Sequence, residues 1–385
     1  MHFAFTAEEA LIRATAERLA AERLAPHAAA LDRGQGRSEF LANLRLLAEN
    51  GFMALNVDPD FGGSGAGTVA FALSIEALAH ACASTAVTVS VTNMVGEVVQ
   101  AVGSTEQKQR CLPLLADGTW PAGAFCLTES GAGSDPAGMT TRARRDGDHW
   151  VLDGQKIYIT SAEYAGVFIV WAVTDPERPK GKGISCFLVE AGTQGLVVGK
   201  AEEKMGQHGS ATNTVHFDAC RVPASALMGR ENDGFRIAVG ELAGGRIGVA
   251  ALSLGIARAA MDAAKSYAAE RRQFGQSIAG FQGLQWMIAD RETDLEAARL
   301  LILSAAARKD RGEPFAKEAS MAKLFASEAA HRATDTALQI HGGAGYVKDY
   351  PVERYVRDAR ITRIYEGTSE IQRLIIARET LRNVG

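Results

Sequence analysis

No basic tail, no long apolar run and no metal-ligand spacing mark this chain of 385 residues. Nowhere do ~18 consecutive apolar residues occur, so no membrane span is expected. A formal net charge of -4 and the absence of a Lys/Arg cluster argue against a nucleic-acid surface. The eight histidines form no HExxH, and no metal site is expected. Five cysteines (Cys82, Cys111, Cys126, Cys186, Cys220) are scattered, odd in number and without a CxxC. That speaks against a disulfide framework and for reduced thiols in a cytosolic compartment. The first residues, "MHFAFTAEEALIRATAERLA", interrupt their apolar positions with charge and offer no cleavage site, so they do not read as a signal peptide. A soluble, cytoplasmic protein is the expectation.

What is present is ordinary globular composition, 47% hydrophobic and 22% charged. At ~150 residues per domain the length suggests two or three domains. Residues 1–120 read as helical. Thr6 and Glu9 form a capping box, and Phe40, Leu44 and Leu47 share one helix face before Asn50-Gly51 ends it. A glycine-rich loop, "DPDFGGSGAG", precedes apolar stretches at 70–79 and 85–102. Residues 121–232 switch to strand texture. "HWVLDGQKIYIT" alternates around Asp153-Gly154, which predicts a two-residue hairpin there, and "VFIVWAV", "ISCFLVE" and "TVHFD" read as further strands. From 233 to 385 helices return. Leu284, Ile288, Leu295, Ala298, Ile302 and Ala305 recur at 3/4 spacing, as do Ala322, Phe325, Ala329, Ala333 and Ile340, predicting a helix bundle.

Several chemical motifs fail on inspection. The glycines of "ESGAGSDP" do not make a GxGxxG, "GLVVGKA" lacks the spacing and Ser/Thr of a P-loop, and "SMAK" (320–323) matches SxxK without a KTG partner. Three stretches survive. "FCLTESGAGSD" offers successive backbone N–H groups and the Ser134 hydroxyl, either a cradle for an anionic ligand or a plain glycine-rich hairpin. In "ERRQFGQSI", Arg271 and Arg272 could grip a phosphate beside the flat face of Phe274, or form a solvated helix end. "QIHGGAGY" joins "RIYEGTSEIQ", where Glu366 lies between Tyr365 and Gly367, as a surface carboxylate or a buried one.

In this order "LTESGAGSD", "QKIYIT", "RRQFG", "QIHGGAGY", "YPVERYVRDARI" and "IYEGTSEIQRLIIAR" resemble the acyl-CoA dehydrogenase family, closest in look to its short-chain, butyryl-type branch. The resemblance runs from Phe5 to Arg382. It implies an α+β multidomain fold: an N-terminal helical domain, a central β-barrel or sandwich and a C-terminal four-helix bundle. It also implies a flavoprotein that oxidises an acyl-CoA to its trans-2-enoyl-CoA, with FAD as cofactor. Electrons would pass to an electron-transfer flavoprotein, and the assembly would be a homotetramer.

By the same resemblance Glu366 is the base that removes the α-proton while the β-hydride passes to the flavin. Burial against Tyr365 and a flavin should raise its pKa. The resemblance assigns the enolate's donors to the glutamate's own N–H and a ribityl hydroxyl. Phe125, Leu127, Thr128 and Ser134, with Tyr158, Ile159 and Thr160, match flavin-lining positions. Arg271, Phe274, Gln282, Gln339 and Gly343 match a segment holding the ADP half across a subunit boundary, and Thr368 and Glu370 would also touch FAD. Ser134, Arg246 and Gly367 match the substrate side. One branch carries its base directly before the arginine; here that position is Gly245. Tyr158 stands where many members have tryptophan, Ser130 replaces a frequent proline, and Ala243 replaces an aspartate that touches the CoA arm. Small and β-branched residues around 84–101 and 241–257 suggest a shallow acyl pocket and a short straight or branched substrate. A relative acting on cyclic, aromatic or dicarboxylic acyl-CoA, or an oxidase, stays open on these residues.

Overall fold

The computed structural model describes residues 5–382; residues 1–4, which open the segment read above for a signal peptide, lie outside the described residues. The chain begins with α1 (Ala7–Leu19), started by the expected capping box in which Thr6 and Glu9 each satisfy the other's backbone N–H. A π turn leads to α2 (Ala25–Asp32), then α3 (Arg37–Glu49), whose Phe40, Leu44 and Leu47 are buried as their spacing predicts. Gly51 follows with φ 80, the left-handed value that ends the helix. The two apolar stretches are α4 (Gly67–Ala81) and α5 (Ala83–Val102), and α6 (Thr105–Ala116) closes the first helical region.

Eight strands follow: β1 (Ala122–Cys126), β2 (Arg142–Asp146), β3 (His149–Thr160), β4 (Ala165–Val173), β5 (Ile184–Glu190), β6 (Leu196–Ala201), β7 (Thr212–Pro223) and β8 (Leu227–Met228). They form one mixed sheet in the order β6-β7-β3-β2-β4-β5-β8, with β1 parallel to β4. The sheet curls, so that Trp150 of β3 meets Phe187 of β5, ring centroids 5.4 Å apart, although the two strands are not neighbours. Val167, Ile169 and Trp171 of β4 face residues of α5 and α6, while Phe168, Val170 and Ala172 face the inside of the curl. Both faces are covered, which is why β4 reads as an unbroken apolar run.

The hairpin expected at Asp153-Gly154 is not formed. β3 runs straight through, pairing with β2 on one side and β7 on the other, and the reversal lies at Gly147 between β2 and β3. Gly154 instead marks a bulge against β7, where a Cβ would come 2.7 Å from the Thr141 backbone. The turn signal was a bulge signal. Strand β1 ends at Cys126, before the glycine-rich loop, and Glu129 makes an isolated bridge with Ala132.

The last region holds α7 (Gly234–Glu270), a small hairpin β9 (Arg272–Gln273) and β10 (Gln276–Ser277), α8 (Gln282–Asp310), α9 (Ala316–His341), α10 (Val352–Arg360) and α11 (Ser369–Leu381). Helix α7 is apolar and long enough to cross a membrane, but 83% of its most apolar window is buried inside the protein. It packs on α4, α5, α8 and α9 at once. One hydrophobic core runs from Ala16 in α1 to Ala359 in α10, so the two helical regions are joined through α4 and α7. Bidentate bonds of 2.8 and 2.6 Å from Arg357 to Asp32 add a polar tie between them.

Candidate active site

Glu366 lies in the short link between the turn Ile361–Arg363 and α11. Its φ is 55 and that of Gly367 is 92, two left-handed residues in succession. For glutamate this conformation costs roughly 1–3 kcal/mol and persists only where neighbours hold it. Gln372 Nε2 donates to the Glu366 carbonyl at 3.1 Å and to the Gly367 carbonyl at 2.8 Å, and Lys323 Nζ donates to the latter at 2.8 Å. Glycine is required at 367 twice over, for its φ and because a Cβ would stand 2.7 Å from Gln372 Nε2. Thr368 caps α11 through its side chain, and Glu370 points outward from the first turn.

The carboxylate is the unusual part. Glu366 is half-buried as a residue, yet Oε2 is sealed from solvent and has no hydrogen-bond partner among the described residues. Burial pushes its pKa up, with the charges of Arg246 and Lys323 pulling the other way. Arg246, on α7, is itself buried, and its Nε is also unpartnered. Between them lies Gly245. A Cβ there would sit 3.1 Å from Glu366 Oε2 and 2.8 Å from Met94 Sδ, so the glycine lets α7 pack closely against the carboxylate and Met94. One turn further along α7, a Cβ at Gly248 would collide with Ser90 and stand 3.2 Å from Phe71 Cζ. The helices pack closely there as well.

The sheet contributes a second surface. Phe125 is half-buried against Trp171, ring centroids 4.3 Å apart, and Leu127 is buried. Beyond Thr128 the loop turns outward; Ser134 is exposed, and Cβ atoms at Gly131 and Gly133 would meet nothing within 4 Å. The loop is anchored by a buried ion pair. Lys156 Nζ donates to Glu129 Oε1 at 2.8 Å and to the Leu127 carbonyl at 3.1 Å, while Glu129 also accepts from the backbones of Thr140 and Thr141. Burial alone would raise the Glu129 carboxyl, but the Lys156 charge and these bonds outweigh it and hold it at about 2. Tyr158 has φ 58 and is 65% exposed, whereas Ile159 beside it is buried and Thr160 half-buried.

These two surfaces are joined. Thr160 pairs with Thr212, the Ser161 N–H donates to Ala211, and further back in the same loop Gln207 donates to Tyr365 Oη at 3.4 Å and to the Asp358 carboxylate. The loop before β7 therefore ties the end of β3 to the segment around Tyr365.

The third expected group lies elsewhere. Arg271, Phe274, Gln282, Gln339 and Gly343 are all exposed, Phe274 at 92% with φ 50. Tyr267 near the end of α7 stacks on His341 at the end of α9, 4.3 Å between centroids, which brings the Arg271 and Gln339 segments side by side. An exposed tyrosine, open glycines, an exposed serine hydroxyl and a lone arginine–phenylalanine tip suit a flat, anionic dinucleotide such as FAD.

Lys323, Gln372, Gln207 and Met94 escaped the sequence reading. Lys323 was visible only as the end of "SMAK", and the Ser320 hydroxyl of that motif bonds the Ala316 carbonyl at 2.9 Å. No SxxK chemistry is built there.

Comparison with known proteins agrees with this arrangement. Family models described as the N-terminal, middle and C-terminal domains of acyl-CoA dehydrogenase match residues 6–119, 124–220 and 232–381. A curated relative, acryloyl-CoA reductase (NADH) of Anaerotignum propionicum, is 44% identical, covering 99% of this chain and 96% of its own. Butyryl-CoA dehydrogenase from Megasphaera elsdenii superimposes with TM-score 0.95 at 39% identity, over 99% of this chain and 100% of that one. A chain solved in work on the electron transferring flavoprotein of Acidaminococcus fermentans and flavin-based electron bifurcation gives TM-score 0.97 at 41% identity, over 100% of both. The chain belongs to the acyl-CoA dehydrogenase family of FAD-dependent oxidoreductases.

Proposed function

We propose that this protein is a short-chain acyl-CoA dehydrogenase in which Glu366 is the α-proton base. The observation that carries the reading is the sealed, unpartnered Glu366 Oε2 packed against Gly245 of α7. A carboxylate that bonds nothing keeps its lone pairs for an incoming proton. Its raised pKa brings it nearer that of a weak carbon acid, which favours transfer. The Glu366 N–H donates to no described residue and is free for the thioester oxygen, where charge gathers as the proton leaves. Arg246 adds positive charge to the same wall. Bound by the residues named below, FAD would supply the acceptor for the hydride equivalent leaving Cβ.

Phe125, Leu127, Thr128, Ser134 and Tyr158, Ile159, Thr160 would hold the flavin end. Arg271, Phe274, Gln282, Gln339 and Gly343 would hold the ADP half, with Thr368 and Glu370 beside the base. Ser134, Arg246 and Gly367 would meet the substrate. The short-chain preference rests on Gly248, one turn along α7 from Gly245, where the helix packs closely on Ser90 and Phe71. An electron-transfer flavoprotein as acceptor is supported by the solved neighbour that comes from work on such a protein. A homotetramer is proposed from the exposed Phe274 tip.

The relative named as a reductase favours a second reading, in which the enzyme runs toward the saturated acyl-CoA. Anaerobic titration separates the cases. Straight and branched short acyl-CoAs should bleach the flavin band, whereas octanoyl-, cyclohexanoyl- and phenylpropionyl-CoA should not. Dithionite-reduced enzyme that is reoxidised by acryloyl-CoA faster than propionyl-CoA bleaches it would move the assignment to the reductase. Bleaching only by the bulky panel would overturn the short-chain reading.

A further inference from the structure

Lys323 has no exposed surface, lies on α9 and carries an ammonium group into the protein interior. Its hydrogen bond goes to the Gly367 carbonyl, and it has no carboxylate within ion-pair distance among the described residues. The charged groups around it are Glu366 and Glu370 beyond the carbonyl it bonds, Arg246 on α7 and Glu328 on its own helix. Glu328 is already taken by Arg363 at 3.0 Å and Ser369 at 2.8 Å, and Glu370 is on the surface. Glu366 is the acidic neighbour left facing the ammonium. Burying a lysine without a bonded counter-ion is costly, so its place needs a reason.

We propose that Lys323 is the positioning residue of the base: it locks the Glu366–Gly367 turn through the Gly367 carbonyl and biases Glu366 toward its ionised form, while leaving both carboxylate oxygens free. This rests on the assignment of Glu366 as base. The Gly367 carbonyl has two acceptor sites, and Lys323 and Gln372 fill both at 2.8 Å. That clamp fixes the left-handed pair. A direct lysine–carboxylate bond would stabilise the anion more strongly, but it would occupy the lone pairs that must take the proton. Placing the cation behind the backbone separates the two requirements. Burial pushes the Lys323 ammonium down to about 8, with Glu366 opposing and Arg246 adding to the fall.

The test uses FAD-loaded enzyme and the variants Lys323→Met, Lys323→Gln and Lys323→Arg, with Glu366→Gln as reference. Two pH titrations are read: kcat/KM with a short acyl-CoA, and the infrared carboxyl band that Glu366→Gln removes. Loss of the cation favours protonated Glu366, so its pKa rises. In Lys323→Met both titrations should move to higher pH by about one unit or more. Its kcat should fall about tenfold or more with KM changed by less than about threefold, and Lys323→Arg should return both titrations toward the parent. If Lys323→Met yields no flavin-loaded protein, Lys323→Gln carries the same comparison. Titrations that superimpose on the parent in the neutral variants would overturn the proposal, even if stability has dropped. Should Glu366→Gln retain near-normal turnover, the base assignment itself fails; an inactive Glu366→Gln with unshifted Lys323 variants fails Lys323 alone.

Discussion

Glu366 shows how much one side chain depends on the residues packed around it. Its left-handed backbone is held by Gln372 at the carbonyls of Glu366 and Gly367, and Gly245 lets α7 pack against its sealed oxygen. Glu366→Gln should keep flavin and fold but lose ~10²–10⁴-fold in turnover, the range a positioned base supplies. The acid limb of kcat/KM should also disappear, because nothing titrates at 366 any longer. Near-normal turnover in yellow protein would contradict the assignment. Gly245→Ala tests the close packing of α7 on the carboxylate. The added methyl meets Oε2 at 3.1 Å and Met94 Sδ at 2.8 Å, overpacking worth about 1–3 kcal/mol. We expect kcat/KM to fall by about tenfold or more with flavin content unchanged; parent kinetics would show that this packing does not position the base.

At the scale of elements, β3 and the loop it anchors act together. Lys156 is sealed in the sheet and Glu129 nearly so, with side-chain exposures of 0% and 6%. Lys156→Met would leave the Glu129 carboxylate buried without its cation, a loss of ~3–5 kcal/mol. The urea midpoint at saturating FAD should drop accordingly, and flavin should dissociate more readily because the 129–134 loop loses its anchor. A midpoint unchanged from the parent would rule the anchor out. Arg271 caps the far end of α7 and is exposed. Arg271→Ala should weaken flavin retention on gel filtration without altering the urea midpoint of the flavin-free chain; full flavin content would remove Arg271 from the cofactor site. β3 is also where local pattern misled. Asp-Gly between alternating residues favours a hairpin, but Asp153 Oδ1 accepts the Ala219 N–H and β7 lines the whole strand, and that pairing outweighs the turn preference.

The whole molecule is held by groups that join its regions, and one of them titrates usefully. Asp358 on α10 is buried and accepts the Gln207 N–H from the sheet region, and burial raises its carboxyl to about 6. The folded pKa lies above the unfolded value near 3.8, so the folded chain binds this proton more tightly. Stability from Asp358 is therefore fully present below about 3.8 and lost as pH rises through about 6. Asp358→Asn keeps an acceptor and is neutral throughout. Relative to the parent it should gain about 2–3 kcal/mol near pH 7.5, and the gain should vanish near pH 4. Urea midpoints at several pH values read this directly, and parallel curves for the two proteins would refute it. The comparison cancels Glu241, whose carboxyl burial raises to about 7.

Much of the architecture was legible from spacing alone. The capping box at Thr6, the buried stripe of α3, the long helices after 233 and the strand-rich middle all follow from side chains repeating with the period of the element they occupy. Motif order likewise pointed to Glu366, because the chemistry-bearing stretches are continuous in sequence. The curl that sets Trp150 on Phe187, the single core shared by both helical regions and the surroundings of the base were not legible. Lys323 and Gly367 lie 44 residues apart, and no local pattern states that an ammonium group on one helix will end at a carbonyl before another. Periodicity tells a residue which face is buried. Which partner it meets there is decided only when the helices and the sheet close around one core.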